Sequence, residues 1–167
     1  SEVEYMNNLK IMSNNVWWCD KNHQEWQNRG EDCSAQARTP GFVRVYNEIQ
    51  PDIIGLQECS PVMRDIFMDM FCQNDTPYAM LYGRDTPILY RKDKFELVDS
   101  DFLIYPEYID GLDGSFNNAK TKSCSIAVFR VIQTGSLLIF ASTHLWWKLK
   151  TVQSGSDLAR KHQLCTL

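Results

Sequence analysis

A chain of 167 residues, 44% hydrophobic and 23% charged, has the length and balance of one globular domain, and a low-complexity or disordered chain is excluded. The net charge of −4 supplies no broad basic field for gripping a nucleic-acid backbone, although it leaves room for a local patch. No apolar run approaches the roughly 18 residues that a transmembrane helix needs, so no membrane span is expected.

The N-terminus, SEVEYMNNLK, lacks the basic-then-apolar order of a signal peptide. A cytoplasmic location is expected on that ground, and a processed secreted protein would look the same. The six cysteines form no CxxC pair and read as reduced, mostly buried thiols. A Cys19–Cys33 bridge across one loop is the only disulfide the order suggests. Cys19, His23 and Cys33 match no common structural zinc spacing, and no zinc is expected from them.

Residues 9–18, LKIMSNNVWW, read as a first strand with polar punctuation at Ser13, Asn14 and Asn15. A polar loop over 19–38 follows. Thr39-Pro40 then opens a helix, with Phe42, Val45, Tyr46 and Ile49 on one face, that stops before Pro51. The stretch PDIIGLQECS, residues 51–60, organises what comes next. Ile53, Ile54 and Leu56 form a short apolar strand, Glu58 stands at its end, and Ser60-Pro61 supplies a helix cap and a proline first turn. A carboxylate at the C-terminal edge of a buried strand is where α/β folds place ligand chemistry. From Val62 to Phe71 an apolar stripe at helical spacing reads as core.

Residues 78–82, 87–90 and 95–104 read as strands, and 105–122 as a loop. Residues 123–132 and 137–145 follow as two well-formed strands. The second, LLIFASTHL, is apolar enough to be covered on both faces before it turns polar at His144. Ser154 and Asp157 form a capping box for a last helix carrying Leu158, Gln163 and Leu164. This order of elements predicts an α/β layered fold.

Three strand ends now line up: Ser13-Asn14-Asn15-Val16, Leu56-Gln57-Glu58 and Ser142-Thr143-His144-Leu145. As an ordered set they resemble the endonuclease/exonuclease/phosphatase superfamily, with PILYRKDKFELVDS between them and Arg160 and Gln163 on the helix after the histidine strand. The resemblance implies a DNase I-like α/β sandwich. This chain would hold one mixed sheet with flanking helices, about half of the four-layer fold, and residues 1–167 would be the N-terminal part of a single domain. It implies a Mg²⁺- or Mn²⁺-dependent phosphoesterase in which Glu58 and Asn15 serve the metal, and His144 and Asn15 serve the phosphate. Mg²⁺ takes hard oxygen ligands and is often held by one or two carboxylates with water and substrate, which suits this set.

The family's later Asp-x-Asn strand end and terminal Asp-His pair have no counterpart here, since Asp157 and His162 fall on the last helix. Little or no turnover is therefore expected of this length of chain alone. A second chain or second copy is expected to cover the open sheet face. The substrate would be a phosphate ester: nucleic acid, a sugar or inositol phosphate, or a phospholipid headgroup. Trp17-Trp18 and Trp146-Trp147 would either rim the site or bury the strand ends. The alternative is a non-catalytic half-fold acting as an interaction module.

Overall fold

Ile53 and Gly55 face one way along β2 (Ile53–Gln57), Ile54 and Leu56 the other, and both faces are covered. The computed structural model describes Val3, Glu4 and residues 8–167. In it β2 is central to a four-stranded sheet with β1 (Ile11–Asn15), β3 (Tyr78–Leu81) and β4 (Ile88–Arg91), in the order β1-β2-β4-β3. The β1–β2 pair is parallel and the other two pairs are antiparallel. A second sheet, antiparallel throughout, holds β5 (Phe95–Ile104), β6 (Ser123–Val131) and β7 (Leu137–Thr143) in sequence order.

The expected sandwich is present, but the strands divide between two sheets where one mixed sheet was expected. The cause lies in β5–β6–β7: three long strands joined as antiparallel neighbours close their own ladder, and one face of it packs on the first sheet. Ile53 and Ile88 from the first sheet meet Phe95, Ala127, Phe129 and Val131 from the second. Gly55 marks a close approach: a Cβ there would lie 3.0 Å from Ser142 Oγ and 3.3 Å from the Phe140 ring. Ser142 Oγ uses that proximity to donate to the Leu56 carbonyl at 2.8 Å and to accept from Gln57 Nε2 at 3.2 Å.

The inter-sheet face is thus closed within the chain, and no open face of the expected kind remains there. Apolar exposure falls instead on the outer side of β7, at Leu137 and Ile139, which are 62% and 69% exposed. The strand expected to be covered on both faces is covered on one, whereas β2 is covered on both.

The helices pack on the other side of the first sheet. A short helix α1 (Gln24–Gln27) lies inside the loop expected to be irregular. Helix α2 (Ala35–Ile49) starts a turn before Thr39-Pro40, because Ser34 caps it by accepting from the Ala37 N–H. Its buried face is Ala35, Thr39, Val43 and Tyr46; Val45 and Ile49 of the expected face are exposed. Helix α3 (Pro61–Phe71) begins at Ser60 as expected, with the hydroxyl accepting from the Met63 N–H at 3.1 Å. Met63, Phe67 and Phe71 are buried with Tyr46, Ile54, Leu56, Tyr78 and Leu89 in one core. The last helix, α4 (Ser156–Cys165), has Gly155 in the left-handed region as its N-cap, so the Ser154 capping box does not form. No helix among the described residues is long and apolar enough to cross a membrane.

Candidate functional site

Since β1 and β2 run parallel, Asn15 and Glu58 emerge at the same sheet edge. Asn15 Nδ2 donates to Glu58 Oε1 at 2.9 Å, and the Trp18 N–H donates to Oε2 at 3.3 Å. Asn15 Oδ1 in turn accepts from the Trp17 N–H at 3.0 Å, which leaves Asn15 as an orienting group for the carboxylate. The neighbouring Asn14 points away and donates to Tyr46 Oη at 2.7 Å. Trp17 and Glu58 both adopt left-handed backbone conformations, with φ of 60° and 56°.

The second sheet delivers His144 from the end of β7. The inter-sheet contact at Gly55 and Ser142 sets its distance from Glu58, and His144 Nε2 lies 3.6 Å from Glu58 Oε1. All three sequence-expected residues therefore meet at one place.

Two further residues complete the cluster. Asp85, fully buried, accepts from His144 Nδ1 at 2.5 Å and from the Glu58 N–H at 3.2 Å. Its other oxygen, Oδ1, is buried with no hydrogen-bond partner among the described residues. Lys122 Nζ lies 2.8 Å from His144 Nε2. Donation from Nδ1 to Asp85 leaves Nε2 to accept from the lysine, an arrangement that suits one tautomer of the neutral ring. Asn117 holds the strand entry: its amide donates to the Tyr105 and Lys122 carbonyls, and its Oδ1 accepts from the Lys122 N–H.

The sequence reading missed both residues, yet strand direction carried a signal. Asp85 precedes β4, which runs antiparallel to β2 with Gly55 opposite Ile88, so the residues before β4 lie beside the end of β2. Lys122 precedes β6, whose Cys124 pairs with Thr143 of β7, so it must lie near His144.

Burial opposes ionisation of Glu58, but the Asn15 amide, the Trp18 N–H and the nearby His144 and Lys122 outweigh it. The carboxyl pKa is held below its ordinary value. For Lys122 burial dominates and lowers the pKa, partly offset by Asp85 and Glu58. Glu58, Asp85, Lys122 and His144 open onto a cavity of about 510 Å³, with Arg84 and two aromatic walls, Trp18 and Trp147. The tryptophan pairs split their duties. Trp146 is buried against Phe116, and its backbone is held by Gln163 and Arg160 of α4, while Trp147 is 67% exposed. Trp17 packs on His23 and Trp26, while Trp18 faces the cavity.

Solved structures with this arrangement of strands share the fold across 95% of the chain. An endonuclease/exonuclease/phosphatase family protein of Bacteroides thetaiotaomicron superposes with a TM-score of 0.65 at 20% identity. The fold is DNase I-like. The same DNase I-like architecture appears in the mannosyl-6-phosphatase of B. thetaiotaomicron, with a TM-score of 0.66 at 20% identity. It appears again in D. rerio TDP2 complexed with a single-strand DNA product, with a TM-score of 0.64 at 19% identity. The chain spans 58%, 60% and 52% of the lengths of these three structures. No protein-family model and no curated protein matches the sequence.

Proposed function

We propose that residues 1–167 form the N-terminal part of one DNase I-like domain and carry part of the active site of a metal-dependent phosphoesterase. The observation that supports this most is the meeting of Glu58 and His144, drawn from both sheets, at one wall of a cavity that also presents Lys122, with Asn15 bonded to the Glu58 carboxylate.

The donor set fits Mg²⁺ or Mn²⁺. Glu58 offers a carboxylate that its neighbours keep ionised, and the cavity leaves room for the waters and substrate oxygens such an ion retains. Glu58 would be the ligand, with Asn15 and the Trp18 N–H fixing its orientation. The ion, when bound, would polarise a phosphoryl oxygen and favour ionisation of a bound water. Lys122 and His144 would face the phosphate and stabilise charge building on its oxygens, with Asp85 holding the imidazole in place. An entering phosphate oxygen would take over the Lys122 ammonium from His144 Nε2. Trp18 and Trp147 offer faces for the organic part of the ester, which suits a base or a sugar. The single-strand DNA product bound to D. rerio TDP2 and the mannosyl-6-phosphatase among the similar structures make nucleic acid and sugar phosphate the first classes to try, with inositol phosphates and phospholipid headgroups after them. Turnover by this length of chain alone is expected to be weak or absent.

Calorimetry with Mg²⁺ and Mn²⁺ on this chain and on Glu58→Ala tests the reading. Binding in the parent that disappears in the variant supports it; binding that is indifferent to Glu58 removes its basis.

The interaction-module reading is favoured by one observation only, the exposed Leu137 and Ile139 on β7. A second chain or copy covering that strip would appear as a concentration-dependent dimer or complex, lost in Ile139→Lys.

A further inference from the structure

Away from the cavity wall, the loop between β1 and α2 gathers three soft donors that the phosphoesterase reading does not use. Cys19 Sγ lies 3.6 Å from Cys33 Sγ and 3.5 Å from His23 Nε2, and the three donor atoms all lie within 4.8 Å of one another. Both cysteines are buried and His23 is exposed.

These spacings carry information. A tetrahedral zinc ion has Zn–S bonds of about 2.3 Å and Zn–N bonds of about 2.0–2.1 Å, so two of its ligand sulfurs stand about 3.8 Å apart and a sulfur and a nitrogen about 3.6 Å. Two of the three separations match these values to within a few tenths of an ångström, and the third, from Cys33 Sγ to the His23 ring, is within 4.8 Å. A disulfide would need the sulfurs at about 2.05 Å.

The surrounding bonds hold the donors in place. Arg38 Nε donates to the Cys33 carbonyl at 2.7 Å, and Nη2 donates to the Cys19 carbonyl at 3.0 Å, so one guanidinium fixes both cysteine backbones. Asn22 Oδ1 accepts from the Cys33 N–H at 3.0 Å, and Asn22 Nδ2 donates to the Glu31 carbonyl at 2.9 Å. The His23 N–H donates to Cys33 Sγ at 3.4 Å, which fixes the sulfur beside the histidine backbone. His23 is the N-cap residue of α1 but makes no side-chain cap, so its ring is not committed to the helix.

From this geometry we infer a zinc site held by Cys19, His23 and Cys33, with the fourth position left to water on the exposed side. Thiolate and imidazole donors select Zn²⁺ over the hard cation proposed for Glu58. Two thiols give up their protons to the solvent on binding, so affinity rises with pH. The ion would clamp residues 19–33 next to Trp18, whose N–H holds Glu58, and so steady the loop on one side of the cavity. The unusual ligand order, Cys-x3-His-x9-Cys, hid the site at the level of spacing.

Cobalt titration of the reduced, full 167-residue chain decides the matter. The expected result is one ion per chain with thiolate-to-cobalt charge transfer and the visible bands of tetrahedral cobalt, displaced by added Zn²⁺. Cys19→Ser and Cys33→Ser should each abolish the charge-transfer band. His23→Ala, which alters an exposed side chain and leaves the core intact, should weaken binding by about a hundredfold, at least the upper range of the cost of losing an outer-shell partner. Glu58→Ala should leave the band unchanged, which separates this site from the cavity. A reduced parent chain with no charge-transfer band overturns the proposal, as does a band that persists without Cys19 and Cys33. If that metal-free chain is also isolated with Cys19 and Cys33 oxidised to each other, the pair is a disulfide.

Discussion

Asp85→Ala removes a buried acceptor that serves both sheets. Two bonds are lost, from His144 Nδ1 at 2.5 Å and from the Glu58 N–H at 3.2 Å. The Cys59 N–H bond at 3.2 Å goes to the Asp85 backbone carbonyl and survives. Hydrogen bonds involving a charged group contribute about 1.5–3 kcal/mol each, so the gross loss is about 3–6 kcal/mol. Against it stands the relief of an unpartnered buried Oδ1, worth about 1–3 kcal/mol. The net destabilisation is about 2–3 kcal/mol, which in a chain of this size lowers Tm by about 4–12 °C. Both donors meet the same oxygen, Oδ2, so Asp85→Asn keeps one uncharged acceptor for the pair and should fall between parent and alanine variant. Urea unfolding with an unchanged m-value and thermal unfolding followed by circular dichroism both measure this. An alanine variant within about 0.5 kcal/mol of the parent would show that the buried carboxylate is not holding the site together.

Gly55→Ala should cost about 1–3 kcal/mol by overpacking against Ser142 and Phe140, and Ser142→Gly should recover part of it. Zero coupling in that double-mutant cycle would contradict the close sheet contact. Glu58 has a folded pKa below its ordinary value, so its ionised form stabilises the fold above the usual glutamate range and the benefit drains away as pH falls through the folded value. Glu58→Gln should flatten the acid limb of Tm against pH; parallel acid limbs in parent and variant would refute this. Lys122 behaves oppositely. Burial lowers its pKa, so its charged form costs stability below the folded value and the cost is relieved as pH rises from there towards the ordinary lysine range. Lys122→Met should lose that alkaline rise, and a rise unchanged in the variant would contradict the burial argument.

Much of the fold was legible because its strands are short, apolar and bounded by turn residues. The caps Ser60 and Pro61 and the strands from Ile53, Tyr78, Ile88, Phe95, Ser123 and Leu137 all fall where pattern places them. Helix faces were less legible: Tyr46 lies on the buried face, but small Ala35 and polar Thr39 complete it, and a hydrophobicity pattern passes over both. Sheet membership was not legible, because an alternating pattern says which side of a strand is apolar and not which neighbour it meets. Asn15, Glu58 and His144 stood out because each ends a strand. Asp85 and Lys122 sit before strands, in loops whose charged residues look solvated until register places them.

Glu58 occupies a backbone conformation that suits glycine better than glutamate, with φ of 56°. For a residue with a Cβ this costs about 1–2 kcal/mol. Glycine at this position would relieve that strain but forfeit the carboxylate's bonds to the Asn15 amide and the Trp18 N–H, which at about 1.5–3 kcal/mol each outweigh it. Cation capture needs the carboxylate as well. The two criteria therefore agree at position 58, and a library randomised there and sorted separately for heat tolerance and for metal uptake should reject glycine in both sorts.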